Sequence, residues 1–143
     1  MKKVLIDTDV LLDFFFDRQP FSDYAAQVLH MCKQKIIEGH TTPVIIANTY
    51  YLLRKTAKHE IVIDKLNQLL NVIDVTEMNR KVVINALNSN FKDFEDALQN
   101  FSAVENRGIT IILTRNIKDF KNSALAILTP ELYVKGKKAN DQH

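Results

Sequence analysis

Three carboxylates crowd the start of the chain, where MKKVLIDTDVLLDFF carries Asp7, Asp9 and Asp13. Asp7 directly follows Val4-Leu5-Ile6, a run too uniformly apolar for a half-exposed strand and therefore read as a buried one. A carboxylate at the tip of such a strand loses hydration and keeps its charge only if something nearby offsets the loss. Further acids recur late in the chain. Asp93 and Asp96 open the helical stretch DFEDALQNFSAVENRG, and Asp119 follows ITIILT by a few residues. Oxygen donors from separate elements, with no histidine or cysteine among them, suit a hard cation such as Mg²⁺ or Mn²⁺, which keeps part of its water shell and recruits phosphate oxygens.

The elements that must position these acids follow from periodicity and punctuation. A helix over Val10–Phe16 follows the first strand with Asp9 as its cap, and a second begins at Ser22 and ends before Gly39. Thr42-Pro43 is a strong helix start, a capping hydroxyl before a proline at the first helical position, and that helix runs through Asn48 to about Lys55. Asn48 shares a face with Val44, Tyr51 and Leu52, so its amide is either satisfied within an apolar surface or turned toward the acids. Ile61–Leu70 and Asn79–Leu87 read as amphipathic helices around a strand at Val72–Val75. Asp93 caps the next helix, Gly108 stops it, and Asp93 is also a candidate metal ligand. Ile109–Thr114 is the clearest buried strand, and Ala126–Leu128 the last. Strands separated by helices imply an α/β fold of three layers, α/β/α, around a parallel sheet of four to five short strands. Ligands in such folds sit beyond the carboxyl ends of the strands, where Asp7, Arg115 and Asn116 lie. The helix opened by Asp93 feeds straight into ITIILT and so runs antiparallel to it, which returns Asp96 to the same rim.

Composition bounds the rest. The 143 residues make one domain, read as 1–134 with a polar, aperiodic tail at 135–143. The formal charge of +2 permits a nucleic-acid partner without arguing for one. Three glycines in the whole chain exclude the glycine-rich phosphate loops of Walker and dinucleotide-binding proteins. The single cysteine, Cys32, fits a reducing cytoplasm and is read as core, and the early acids interrupt any signal peptide or membrane span.

LIDTDVLLDFF, DFEDALQ and IILTRNIKDF, in that order and over about this length, resemble the PIN-domain ribonucleases, many small members of which are similar to VapC-like toxins of toxin–antitoxin pairs. The resemblance spans about Lys3 to Tyr133, including the closing TPELY. It implies a metal-dependent endoribonuclease that uses Mg²⁺ or Mn²⁺ to hydrolyse RNA phosphodiesters and leaves a 5′-phosphate. Carried over by position, Asp7 is the first metal ligand and Asp96 the central one, with Asn116 and Asp119 at the fourth ligand position. Thr114 holds the rim, and Arg115 faces phosphate together with Lys118 and Lys121; Asp9 joins Thr114 and Arg115 on the substrate side. The departure is at PVIIANTYYLLRK, where the family commonly has a glutamate ligand and the matching residue is Asn48. An amide oxygen still coordinates a hard cation, with one charge fewer. An antitoxin protein and a homodimer are the partners implied. Phe14-Phe15-Phe16 cannot all turn inward from one helix, so part of that triplet is expected at an interface. Asn48 also leaves room for a weakened PIN-fold module that binds RNA or protein without cleaving. A haloacid-dehalogenase-like phosphatase, with DTDV as its nucleophile loop, is the lower alternative, because the strong acids Asp93 and Asp96 precede the threonine-ended strand instead of following it.

Overall fold

A computed structural model describes residues 1–106 and 108–141. Its five strands are β1 (Lys2–Ile6), β2 (Ile37–Thr41), β3 (Asp74–Val75), β4 (Ile109–Leu113) and β5 (Ala126–Leu128). All pair in parallel, in the order β3-β2-β1-β4-β5. The order grows outward from β1 in one direction to β3 and then returns to its other edge at β4. This reversal opens a crevice beyond the carboxyl ends of β1 and β4, the usual ligand position in such sheets.

The two faces of the sheet bury different helices. Val4, Ile6, Ile37, Ile111 and Leu113 pack under α1 (Thr8–Phe15), α2 (Phe21–Lys33), α3 (Pro43–Leu53), α4 (His59–Leu69) and α7 (Pro130–Asp141). Leu5, Ile109 and Ile112 point to the other side, against Ala103 of α6 (Phe94–Glu105) and Phe120 of a short 3-10 turn at Ile117–Phe120. α5 (Arg80–Leu87) packs on α6 through Val82, Ala86, Ala97 and Leu98. The expected three-layer α/β/α architecture is thus present. Gly39 in β2 has no room for a side chain: an added Cβ would lie 2.7 Å from Cys32 Sγ and 2.8 Å from Ile73 Cγ2. That close approach seats α2 on the sheet.

Three expectations are corrected by local hydrogen bonding. Asp7, not Asp9, caps α1: it has extended backbone angles and accepts from the Thr8 N–H at 2.8 Å, because the helix leaves β1 with no intervening loop. Val72 and Ile73 belong to the turn ending α4, both donating back to the Leu69 carbonyl, so the strand there is only Asp74–Val75. Residues 135–141 are not an aperiodic tail but continue α7, which Tyr133 and Val134 anchor in the core. Residues 142–143 of that expected tail lie outside the described residues.

Candidate functional site

The reversal of strand order brings the end of β1 against the end of β4. Asp7 N–H donates to the Leu113 carbonyl at 3.0 Å, which continues the β1–β4 ladder by one residue and fixes the first acid. Asp7 is buried, 8% exposed, and its carboxylate accepts from Thr8 N–H at 2.8 Å and from the Thr114 hydroxyl at 2.9 Å. Thr114 in turn accepts from Asn116 N–H at 3.0 Å. One buried hydroxyl therefore couples the acid on β1 to the loop after β4.

Asp96 arrives from α6. Asp93 caps that helix, accepting from the Asp96 N–H at 3.0 Å, so the cap and the acid one turn on share the rim. The Thr42 hydroxyl, which caps α3 by accepting from Ile45 N–H at 3.1 Å, donates to the buried Gln99 side chain and locks α3 against α6. This contact sets Asn48 beside Glu95, and the Asn48 amide donates to Glu95 Oε2 at 3.1 Å. Asp7, Asp9, Asn48, Glu95, Asp96, Gln99 and Asn116 all line one cavity of about 510 Å³. Asp96 also lines a neighbouring cavity of about 280 Å³, shared with Asp93, Asp119, Lys118 and Lys121.

Burial first, and then neighbouring negative charge, raises the proton affinities of these acids. Burial, the Asp9 charge and, more weakly, Asp119 push Asp7 up to about 6, against the hydrogen bonds from Thr8 and Thr114. Asp96 is pushed up to about 7 by desolvation and by Asp93, Asp7, Asp119 and Glu95. Carboxylates held together against their own repulsion are relieved by a divalent cation, and an all-oxygen donor set is the kind such an ion prefers. Among the described residues no three acidic, histidine or cysteine side chains converge tightly enough to hold an ion by themselves. The acids form an open rim, suited to an ion that keeps much of its water and binds through one or two carboxylates.

Arg115 does not face the cavity as expected. Its guanidinium makes a bidentate pair with the fully buried Asp13, Nε to Oδ2 at 2.6 Å and Nη2 to Oδ1 at 3.0 Å, and stacks 4.0 Å from the Phe21 ring centroid. Its backbone N–H donates to Asp9 Oδ2 at 2.9 Å. Asp9 thus braces the loop after β4 instead of capping α1, and the other Asp9 oxygen is buried without a partner. Arg18, Lys55 and Glu95 line the larger cavity without having been singled out from the sequence. Glu95 carried a signal, since it adjoins Asp96 and the unpaired amide of Asn48 needed a partner. Of the phenylalanine triplet, Phe14 is 39% exposed, and with Phe15, Leu29, Lys65 and Leu69 it lines an open groove of about 580 Å³ away from the acids.

The order of these motifs on a parallel sheet is matched by a family model described as PIN domain, which covers residues 3–118. The chain belongs to the PIN domain family. Ribonuclease VapC1 of Aquifex aeolicus (strain VF5) is 27% identical to this PIN domain over 135 residues, covering 91% of the chain and 92% of that protein. A toxin–antitoxin complex from Klebsiella pneumoniae is similar to it in fold, with a TM-score of 0.67, 20% identity, and coverage of 89% of this chain and 97% of that one. VapC20 of Mycobacterium tuberculosis, described as a sarcin–ricin loop cleaving toxin, gives a TM-score of 0.62 at 14% identity, covering 82% of this chain and 95% of that one. No described helix of this PIN domain is long and apolar enough to cross a membrane.

Proposed function

We propose that this PIN domain is a metal-dependent endoribonuclease and the toxin half of a toxin–antitoxin pair, acting in the cytoplasm. The observation that carries the reading is the convergence of Asp7 and Asp96 on one cavity, at the switch point of the sheet, with the proton affinity of each raised by burial and by neighbouring carboxylates, Asp119 among them. The 27% identity to a ribonuclease over nearly both full lengths supports the same class of chemistry.

Asp7, Asp96 and Asp119 are the residues assigned to hold Mg²⁺ or Mn²⁺, with Asn116, Asp93 and the Asn48–Glu95 pair at the edge of the site. Once bound, such an ion supplies charge neutralisation at the scissile phosphate and acidifies a water. The protein's own part is positional. The Thr8 N–H and the Thr114 hydroxyl fix the Asp7 carboxylate, which leaves its remaining lone pairs for the cavity. Asn48 directs Glu95 into the same cavity, so the amide on α3 is accompanied by a carboxylate from α6. Arg115 serves as a brace, and phosphate contacts pass to other cations.

The apolar groove beside Phe14 and Phe15, flanked by Lys33 and Lys65, is assigned to a protein partner, an antitoxin or a second copy of the chain. The weakened binding module is the second reading, favoured by Asn48. Incubating the purified chain and Asp7→Asn with a mixed RNA pool, in Mn²⁺ and in EDTA, separates the two. The nuclease requires Mn²⁺-dependent cutting that Asp7→Asn abolishes. Folded wild-type protein that never cuts overturns it.

A further inference from the structure

Behind the loop that follows β4 lies a separate cavity of about 320 Å³, between the start of α2 and the start of α7. Asn116 lines the acid cavity, whereas the residue before it, Arg115, turns away and lines this one. Phe21, Tyr24 and Pro130 form apolar walls, and Phe21 stays 40% exposed although the Arg115 guanidinium covers one face of its ring. That guanidinium is held but not exhausted. Asp13 takes Nε and Nη2, and Nη1 has no hydrogen-bond partner among the described residues. Thr129, also on the lining, accepts from Leu132 N–H at 3.1 Å and has no acceptor for its own hydroxyl proton among the described residues. Glu131 brings a carboxylate to the same lining, exposed and tied to Lys135 only by a long 3.6 Å ion pair.

We propose that this cleft binds a free aromatic amino acid, its ring between Phe21, Tyr24 and Pro130, its carboxylate on Arg115 Nη1 and the Thr129 hydroxyl, and its ammonium toward Glu131. Cavities that hold small molecules begin at about 300 Å³ and are mostly apolar, with a few polar groups that fix orientation, so this one suits a molecule built around a single ring system. Two donors on one side and an acid on the lining match the two poles of a zwitterion. Each rival chemistry leaves one of these groups unused or opposed. A phosphate meets Glu131, an amine without a carboxylate leaves Nη1 bare, and an aliphatic amino acid forgoes the edge and face contacts that the two rings offer.

The test is a proton–nitrogen correlation NMR titration of the full metal-free chain at neutral pH, with L-phenylalanine and with L-tryptophan. A saturable shift of the Arg115 Nε–H and of the amides of Phe21, Tyr24 and Glu131 is expected, with a Kd of about 1 mM for a ligand of this size. Phenethylamine and tryptamine lack the carboxylate, hydrocinnamate and indolepropionate lack the ammonium, and L-leucine lacks the ring. Each is expected to bind about tenfold more weakly, the scale of one charge-assisted hydrogen bond or one aromatic contact. Phe21→Ala should weaken both amino acids about as much as loss of the ligand's own ring does. Glu131→Gln, at an exposed side chain, should melt with the wild type and erase the preference for the amino acids over hydrocinnamate and indolepropionate, so it decides alone if Phe21→Ala disturbs the fold. No saturable shift with either amino acid at ten times the expected Kd overturns the proposal. So do shifts confined to the acid cavity or the groove beside Phe14, equal binding of L-leucine or the two amines, or an unchanged preference in Glu131→Gln. Neither metal nor RNA enters the measurement, so failure here leaves the ribonuclease reading standing.

Discussion

Asp7 illustrates how a functional carboxylate strains the protein that carries it. Its proton affinity is raised from 3.8 to about 6, so the folded state binds this proton more tightly than the unfolded chain does. Stability from this group is therefore present below pH 3.8 and is lost as the pH climbs toward 6. At about 1.4 kcal/mol per unit, the loss by neutral pH is on the order of 2–3 kcal/mol. Asp7→Asn should accordingly raise the melting temperature of the metal-free protein at pH 7 and flatten its dependence between pH 4 and 7. Thermal melts in EDTA across that range check this, and a variant less stable than wild type at pH 7 contradicts it. Removing Asp13 should have the opposite effect on stability, through its ion pair. Asp13→Ala leaves Arg115 partly buried and unpaired, and should cost about 3 kcal/mol, read from denaturant unfolding. Asp7, Asp96 and Thr114 were legible as rim residues because each ends or opens an element. The role of Arg115 was not, since its partner lies 102 residues away and no local pattern links the two.

At the scale of elements, the helix starts carried clear signals and the helix contacts did not. Thr42-Pro43 and Asp93 announce α3 and α6 through side chains that satisfy the first free N–H groups. That the Thr42 cap also faces α6, through Gln99, is a packing fact with no periodic trace. The same docking gives Glu95 its place beside Asn48. Glu95→Gln should weaken Mn²⁺ binding in calorimetry, and adding Asn48→Glu should recover it; no change in the single variant would reduce Glu95 to a surface charge. Gly39 makes a second element-scale prediction. Gly39→Ala forces Cys32 and Ile73 apart, and should destabilise by about 1–3 kcal/mol despite the better strand propensity of alanine. Cys32→Ala in the same chain should relieve part of that cost, because Sγ is the nearest obstructing atom.

The whole molecule was the most legible level, because a parallel sheet leaves apolar runs such as Ile109–Leu113 that amphipathic helices separate. The placement of β1 at the centre, between β2 and β4, could not be read from those runs. It depends on which edge of β1 each returning strand finds. The continuation of α7 past residue 134 was also hidden, since Lys135–Asp141 is helical through its attachment to Tyr133 and Val134 and has little apolar pattern of its own. A bound cation should register over the entire fold. At a Mn²⁺ concentration of a hundred times Kd, the native state gains about 2.7 kcal/mol, and the melting temperature should rise by several degrees in wild type but not in Asp7→Asn.

The hydrogen bond between Asp7 and Thr114 joins residues 107 apart, and the two strands that present them meet only when β4 is added to the other edge of β1. A ribosome that has translated β1 through β3 has already released the first acid from its tunnel, yet that acid has neither its hydroxyl partner nor the loop that Asp9 braces. An enzyme assembled in this order has no competent half-made form.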